Sequence, residues 1–294
     1  MFLNYTVKKQ EKINLILKNE LQISSRLLYK LIKNKLVYLN GKAVDTRILA
    51  NVNDTITIDL NYNEENSNIV ATKIDLNIIY EDEAFIVLNK PSGIAVHPSI
   101  LHFEDTLSNG IKYHFDQINL HKKIRPVNRL DFYTSGLIVF AKNEYIQENL
   151  IKQMKEKIFK KEYLALVHGN FTKKQGIINK PIARKENSII ERCISENGKP
   201  SITHFEVVQE YEGFSLVKCI LETGRTHQIR VHMSSIGHPL VGDTLYSSNS
   251  EPFTGQALSC IKLQFNHPIS NTPLTFTQHS LGFQSYLSSL KQNE

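Results

Sequence analysis

The sequence predicts an α+β fold in which a small α/β domain precedes a larger domain built on a mixed, largely antiparallel β-sheet. Residues 24–60 read as one helix followed by short strands, whereas the chain after residue 72 consists mostly of short β-rich runs. Between these regions, residues 63–72 are rich in Asn and Glu and show no periodic pattern. We therefore divide the chain into a small domain at 1–62, a linker at 63–72 and a larger domain at 73–294.

The small domain is predicted to contain an amphipathic helix at residues 24–37. Leu and Ile recur there at helical spacing, Lys and Arg take other positions, and Ser24 or Ser25 can cap the start. A short apolar run follows, and the dipeptide Asn40-Gly41 is typical of a tight turn. The later run TITIDL alternates polar and apolar residues, which indicates a half-buried strand.

The larger domain is predicted to be mostly strands with two clear helices. Runs such as AFIVLNK, GLIVFAK, EYLALVHG and FSLVKCIL are rich in β-branched and aromatic residues. One helix is predicted at about 143–157, with Asn143 as its cap, because apolar residues align on one face. The other is predicted at about 226–236, and Gly237 and Pro239 follow it as a stop signal.

Composition and charge narrow the class of protein. Of the 294 residues, 41% are apolar and 22% charged, which is ordinary for a globular protein, and no apolar run is long enough to cross a bilayer. We expect a reducing cytoplasm, because no secretory signal is evident and Cys193, Cys219 and Cys260 are scattered. The net charge is +6, and residues 1–62 carry ten Lys/Arg against five Asp/Glu, or +5. This basic region is either a handle for a polyanion or an ordinary solvated surface.

Two clusters of polar residues stand out, RPVNRLDFYTSG at 125–136 and ETGRTHQIRVH at 222–232. By itself, Asp131 in the first cluster fits a turn-capping role, the common fate of Asp in loops. In the second cluster, His227 and His232 are five residues apart and lie on different helix faces, so we expect no metal site. Signatures of phosphate-binding loops, dinucleotide sites, serine hydrolases and common DNA-binding motifs are missing from the sequence.

Three blocks together resemble the RluA/RluD-type pseudouridine synthase family. They are IVLNKPSGIAVHP, NRLDFYTSGLIVFAK and ETGRTHQIRVHMSSIGHPLVGDTLY, which occur in the family's order within residues 80–246. Residues 11–60 resemble the small RNA-binding module named after ribosomal protein S-four. The resemblance implies an enzyme that converts uridines in RNA to pseudouridine, a reaction that requires no metal or other cofactor.

The resemblance also implies roles for individual residues. Asp131 matches the catalytic aspartate, and Arg225 matches the arginine that pairs with it. Tyr163 matches the tyrosine that stacks on the uracil, and Ile229 an apolar residue that lines the base pocket. Arg129 matches the arginine that helps to flip the base and fills its place.

We assign no chemical role to three other polar residues of these sequence blocks. The family usually has His where this chain has Asn128, and we expect the replacement to alter RNA contacts rather than to abolish activity. His97 and His227 are as consistent with structural histidines as with catalytic ones.

The expected partner is a structured RNA, with ribosomal RNA favoured over transfer RNA, and the expected state is a monomer. Arg26, Lys30, Lys33 and Lys35 are candidates for contacts with the RNA backbone, since phosphate contacts supply affinity with little sequence information. The alternative hypothesis is a non-catalytic RNA-binding or ribosome-assembly factor that has kept the fold. Intact Asp131 favours the enzyme.

Overall fold

The structure, a computed structural model, describes residues 1–66, 68–248, 253–279 and 281–291. The helices within these residues are α1 Ile13–Asn19, α2 Ser25–Lys33, α3 Leu107–Gln117, α4 Glu144–Lys155, α5 Gln228–Ser234 and α6 Gln284–Lys291. The strands are β1 Phe2–Thr6, β2 Glu11–Lys12, β3 Val37–Leu39, β4 Lys42–Ala43, β5 Leu49–Ala50, β6 Thr55–Asp59, β7 Ile78–Glu81, β8 Phe85–Lys90, β9 Arg125–Pro126, β10 Ser135–Ala141, β11 Lys160–His168, β12 Gln175–Asn179, β13 Ile182–Arg184, β14 Arg192–Ile194, β15 Ile202–Tyr211, β16 Phe214–Leu221, β17 Leu258–Asn266 and β18 Pro273–Thr277. None of the described helices combines the length and the apolar character that crossing a membrane requires.

The N-terminal part of the chain forms a four-stranded antiparallel sheet, in the order β1-β6-β3-β4, with α1 and α2 beside it. The predicted amphipathic helix is α2, which is shorter than expected because it ends at Lys33. Its N-cap is Ser24, whose side chain accepts a hydrogen bond from the Leu27 amide. The apolar face of α2 is buried, as its periodicity predicts.

The larger part of the chain is built on a ten-stranded sheet. Its main path runs β12-β15-β16-β11-β17-β10-β8-β7, with β18 beside β17 and β9 beside β10. The pairing of β10 with β17 is parallel, and the other pairings in the described part of this sheet are antiparallel. The predicted fold class, α+β with a mixed, largely antiparallel sheet, is confirmed.

The helices of this part agree only in part with the sequence-based expectation. Helix α4 starts after Asn143, whose side chain caps it as predicted, and α5 is a shorter version of the helix expected near 226–236. Helix α3 was not predicted. Its start is fixed by a reciprocal capping box between Thr106 and Asn109, in which Asn stands where the usual pattern has Glu or Gln.

The small sheet is joined to the large one by packing and by side-chain contacts. Buried apolar residues from both parts form one continuous cluster. Helix α2 lies against α4, where Ser24 Oγ donates a hydrogen bond of 2.7 Å to Glu148 and the Lys30 ammonium lies 2.5 Å from Glu144. The position of α2 relative to the large sheet is therefore fixed by buried and half-buried contacts.

Glu64, on the segment between the two sheets, strengthens this connection. Its buried carboxylate accepts two hydrogen bonds of 2.7 Å from the Arg125 guanidinium and lies 3.2 Å from Lys30. Burial alone would raise the pKa of Glu64, but the Arg125 and Lys30 cations lower it to about 2. The Lys30 ammonium thus lies beside two carboxylates, and its predicted contact with RNA stays a prediction.

Candidate active site

Asp131 opens the turn that leads into β10. The Thr134 amide donates a hydrogen bond of 3.1 Å to the Asp131 carbonyl, which closes a four-residue turn. Gly136 then follows with φ of 103°, and a Cβ there would lie 2.2 Å from the Cys260 carbonyl oxygen of β17. Only glycine permits this close approach, so the Thr-Ser-Gly sequence fixes where Asp131 stands above the sheet.

The backbone after Asp131 is held by the loop that follows β8. The ammonium of Lys90 donates hydrogen bonds of 2.8 Å to the carbonyls of Pro91 and Phe132, and the Gly93 amide donates one of 3.1 Å to Phe132. Lys90 is completely buried, and burial lowers its pKa to about 7 although the negative charge of Asp131 opposes the shift. The NKPSG block therefore supports the Asp131 loop, a role that sequence reasoning missed.

The cation beside Asp131 is Arg230 of α5. Its Nη1 lies 3.3 Å from Asp131 Oδ2, while its Nε and Nη2 each donate a hydrogen bond of 2.7 Å to the buried carboxylate of Asp243. Arg225, predicted to fill this place, instead directs its Nε to the Pro200 carbonyl at 3.1 Å. The prediction for Arg225 was wrong because Arg225 precedes α5, whereas Arg230 projects from within the helix towards both carboxylates.

A cleft of about 560 Å³ has Arg129, Asp131, Tyr163 and Arg225 in its walls. A smaller pocket of about 60 Å³ shares these four residues and adds the buried side chain of Ile229. The structure therefore brings together the five predicted site residues, although Arg225 does not pair with Asp131. The Asp131 side chain is 29% exposed, so its carboxylate is partly enclosed and still reachable.

Tyr163 forms part of the floor of this cleft. Its side chain is only 5% exposed, and it is hydrogen-bonded to the thiol of Cys260 on the neighbouring strand. Burial raises the pKa of Tyr163 well above its ordinary value, and the negative charge of Asp131 adds to the effect. The phenol therefore stays neutral at physiological pH and presents an uncharged aromatic surface beside the carboxylate.

Two further residues complete the surroundings of Asp131. His227, in the left-handed conformation at the N-cap of α5, has its Nε2 3.8 Å from Asp131 and its Nδ1 2.8 Å from the Tyr246 hydroxyl. Burial lowers the pKa of His227, which favours the neutral ring. The Tyr246 ring also lies 5.0 Å from the Arg230 guanidinium. Tyr246 was not predicted, and its place in the third sequence block is the only signal for it.

Asn128 has a structural role. It is buried, its amide nitrogen donates a hydrogen bond of 3.2 Å to the Leu137 carbonyl, and its amide oxygen accepts one of 2.9 Å from Val139. Both ends of the amide are thus engaged by β10. Asn128 also lines the cleft, so the expectation that it alters RNA contacts stays a prediction.

Comparisons with known proteins show the family to which this chain belongs. Residues 84–235 match the sequence model of the RNA pseudouridylate synthase family. A Bacillus subtilis (strain 168) protein named "Uncharacterized RNA pseudouridine synthase YhcT" is 39% identical over 87% of this chain and 85% of its own length. The "Ribosomal large subunit pseudouridine synthase D" of Nitrosomonas europaea is 36% identical over 81% of this chain and 72% of its own length.

The solved structure of "Human RNA Pseudouridylate Synthase Domain Containing 1" covers 74% of this chain and 95% of its own, with a TM-score of 0.58 and 28% sequence identity. Fold, sequence blocks and relatives therefore lead to the same assignment. The chain belongs to the RNA pseudouridylate synthase family and is an RNA pseudouridine synthase.

Proposed function

We propose that this enzyme isomerises specific uridines of large-subunit ribosomal RNA and that Asp131 is its catalytic carboxylate. The observation that carries the proposal is the position of Asp131, in a cleft floored by Tyr163 and 3.3 Å from the Arg230 guanidinium. A carboxylate is the reactive group that this chemistry requires, and the Arg230 guanidinium lies beside it as the opposite charge.

The reaction is an isomerisation, so atoms and electrons balance within one nucleotide. The bond between N1 of the uracil and C1′ of the ribose breaks, the base turns, and ring carbon C5 bonds to C1′. The proton on C5 is released to solvent while N1 gains one. We propose that the Asp131 carboxylate acts directly on the nucleotide in this sequence, while Arg230 balances its charge.

The target base must leave its stack to reach Asp131. Flipping a nucleotide costs a few kcal/mol, which stacking on an aromatic side chain and contacts with the base edge offset. We propose that the uracil lies between Tyr163 and Ile229, which share the smaller pocket with Asp131. Arg129 is exposed at the cleft and is our candidate for the group that takes the vacated place in the RNA.

The ribosomal RNA assignment rests on the relatives and on the N-terminal part of the chain. Relatives of this chain include proteins named ribosomal large subunit pseudouridine synthase D. We propose that residues 1–62 are an RNA-binding domain similar to the S-four module and that residues 73–294 are the catalytic domain. Arg26, Lys33 and Lys35 are exposed on or just after α2 and are our candidates for phosphate contacts. The Arg26 side chain is 82% exposed although its Nε lies 3.5 Å from Glu144.

The test is tritium release from uridine labelled at C5, because each turnover frees that hydrogen. The probes are large-subunit ribosomal RNA transcribed in vitro and, separately, a transfer RNA pool from the same cells. We expect release from the ribosomal transcript by the wild type and none by Asp131→Asn, which keeps the size of the side chain but lacks its charge. Filter binding of the variant to the same transcript should match the wild type.

Each other outcome contradicts one part of the proposal. Release from the transfer RNA pool alone would contradict the ribosomal substrate. Turnover by Asp131→Asn at the wild-type rate would contradict the role of the carboxylate. Tight binding of both proteins without release from either RNA would instead support a non-catalytic binding factor.

A further inference from the structure

A tight turn in the segment between β8 and α3 carries two aliphatic side chains that no described residue covers. The Ser99 amide donates a hydrogen bond of 2.7 Å to the His102 carbonyl, and the His102 amide donates one of 3.3 Å in return. The central residues of the turn are Ile100 and Leu101, whose exposed fractions are 101% and 87%. Turn centres usually carry Gly, Pro, Asn, Asp or Ser, so an aliphatic pair held out into solvent suggests an interaction site.

The turn is fixed to the Asp131 loop. The His102 ring stacks on Phe132, the residue after Asp131, with 4.8 Å between the ring centroids. The Nδ1 atom of His102 also lies 2.8 Å from the Asp105 carboxylate, which sets the orientation of the ring. The tip of the turn therefore has a defined position relative to the candidate catalytic carboxylate.

The other end of the segment borders the cleft itself. His97 lines the same cleft as Arg129 and Asp131, and its Nδ1 lies 3.0 Å from Ser108 Oγ at the start of α3. The segment that carries the turn therefore begins at the cleft wall. Ile100 is three residues from His97, so its Cα lies within about 11 Å of the His97 Cα at the cleft wall.

We propose that Ile100 and Leu101 form an apolar wedge that packs against a nucleobase next to the flipped uridine of the substrate RNA. The inference rests on the proposed function, since it requires an RNA with a base removed from its stack. A base that loses its neighbour exposes one face to water, and an aliphatic side chain can cover that face. Arg129, which lines the same cleft as His97, supplies a positive charge that suits the phosphate backbone of the RNA.

The test replaces the wedge and compares it with a matched pair of exposed aliphatic residues. In the full chain, Ile100→Ser/Leu101→Ser removes the wedge, and Ile177→Ser/Val208→Ser is the control, at sites 62% and 54% exposed on the strands β12 and β15. The probe is the in-vitro ribosomal transcript labelled at C5, titrated with enzyme under single-turnover conditions. Filter binding to the same transcript is measured in parallel.

We expect the wedge variant to need about tenfold more enzyme for half-maximal tritium release, which is near the lower end of the effect of removing an aromatic side chain that stacks on a base. The control should behave as the wild type, and Ile100→Phe/Leu101→Phe should restore the affinity, because a ring also covers a base. Equal affinity of the wedge variant and the control would overturn the wedge while leaving the proposed function intact.

Two other outcomes also decide the question. A change in sedimentation coefficient of the wedge variant, without a change in RNA affinity, would show that the pair binds a second copy of the chain and would overturn the proposal. Absence of tritium release by the wild type would overturn the proposed function and the wedge together.

Discussion

Replacing Arg230 with Met should affect both turnover, through Asp131, and folding stability, through Asp243, and the two effects can be measured separately. One guanidinium serves two carboxylates: Asp131, which is 29% exposed, and Asp243, whose side chain is fully buried. Met keeps much of the volume of the arginine stem and removes its charge and hydrogen bonds. The same change at Arg225, which also lines the cleft, removes the hydrogen bond to the Pro200 carbonyl and no ion pair with a described residue.

The effect on turnover follows from the geometry. Unit charges 3.3 Å apart attract by about 5 kcal/mol at an effective dielectric constant of about 20. Because Asp131 is partly exposed, we take about half of this, roughly 2.5 kcal/mol, as the loss in the variant. If the loss falls on the transition state, turnover should decrease about 70-fold.

The loss of stability in Arg230→Met comes from Asp243 rather than Asp131, so a second substitution at Asp243 can restore stability without restoring turnover. Loss of Arg230 leaves Asp243 as an unpaired buried carboxylate, which should cost about 3–5 kcal/mol. Arg230→Met/Asp243→Leu removes both charges and should recover most of that stability. Its turnover should stay about 70-fold low, because Asp131 still lacks its cation.

The assay combines urea unfolding with single-turnover tritium release at a temperature where all variants are folded. Arg225→Met should unfold within about 0.5 kcal/mol of the wild type and lose less than tenfold in rate. Equal losses of rate at 225 and 230 would contradict our assignment of the partner of Asp131. Full activity of Arg230→Met/Asp243→Leu would show that the cation is needed only for folding.

Three other perturbations have expected outcomes. The first perturbation is Lys90→Met. The pKa of Lys90 is about 7 in the folded protein, against an ordinary value of 10.5. Raising the pH from 7 to 9 should therefore stabilise the wild type relative to the variant by roughly 2 kcal/mol, as measured by urea unfolding. The second perturbation is Glu64→Gln. The Glu64 carboxyl has a pKa of about 2 in the folded protein, against an ordinary value of 4.5, so the variant should be roughly 3 kcal/mol less stable than the wild type at neutral pH. This difference, measured by thermal melts, should shrink as the pH falls through 4.5 towards 2. Neutralising Arg26, Lys33 and Lys35 together should weaken RNA binding and lower the slope of log affinity against log salt by about one for each phosphate interaction that is removed, as measured by filter binding.

The class of fold could be predicted from the sequence, but the pairing of strands within the large sheet could not. Alternating and β-rich runs predict strands because side chains of a strand alternate between its two faces. They do not predict which strands meet, since the parallel pairing of β10 with β17 joins Ser135 to Ser259 across a long stretch of chain. Helix α3 was missed because Asn109 makes a capping contact for which the usual pattern has a longer side chain.

The candidate site was predictable as a set of residues and less so as a set of contacts. The blocks contain Asp131, Tyr163 and both arginines, but the choice between Arg225 and Arg230 depends on where α5 begins. Helix boundaries are among the least certain features of a sequence-based prediction. Lys30 shows the same limit, because a lysine on a polar helix face gives no sign that a carboxylate from another part of the chain will bind it.

The bridging carboxylate at position 64 has a consequence for how the molecule melts. Glu64 joins Arg125 and Lys30, and the cluster of buried apolar residues is continuous across the two sheets. Separating the two sheets would therefore expose buried charges and apolar surface to water. The whole protein should therefore lose its structure in one cooperative transition. A destabilising substitution in the N-terminal sheet should then lower the melting temperature of the large sheet, which carries the candidate active site, by the same amount.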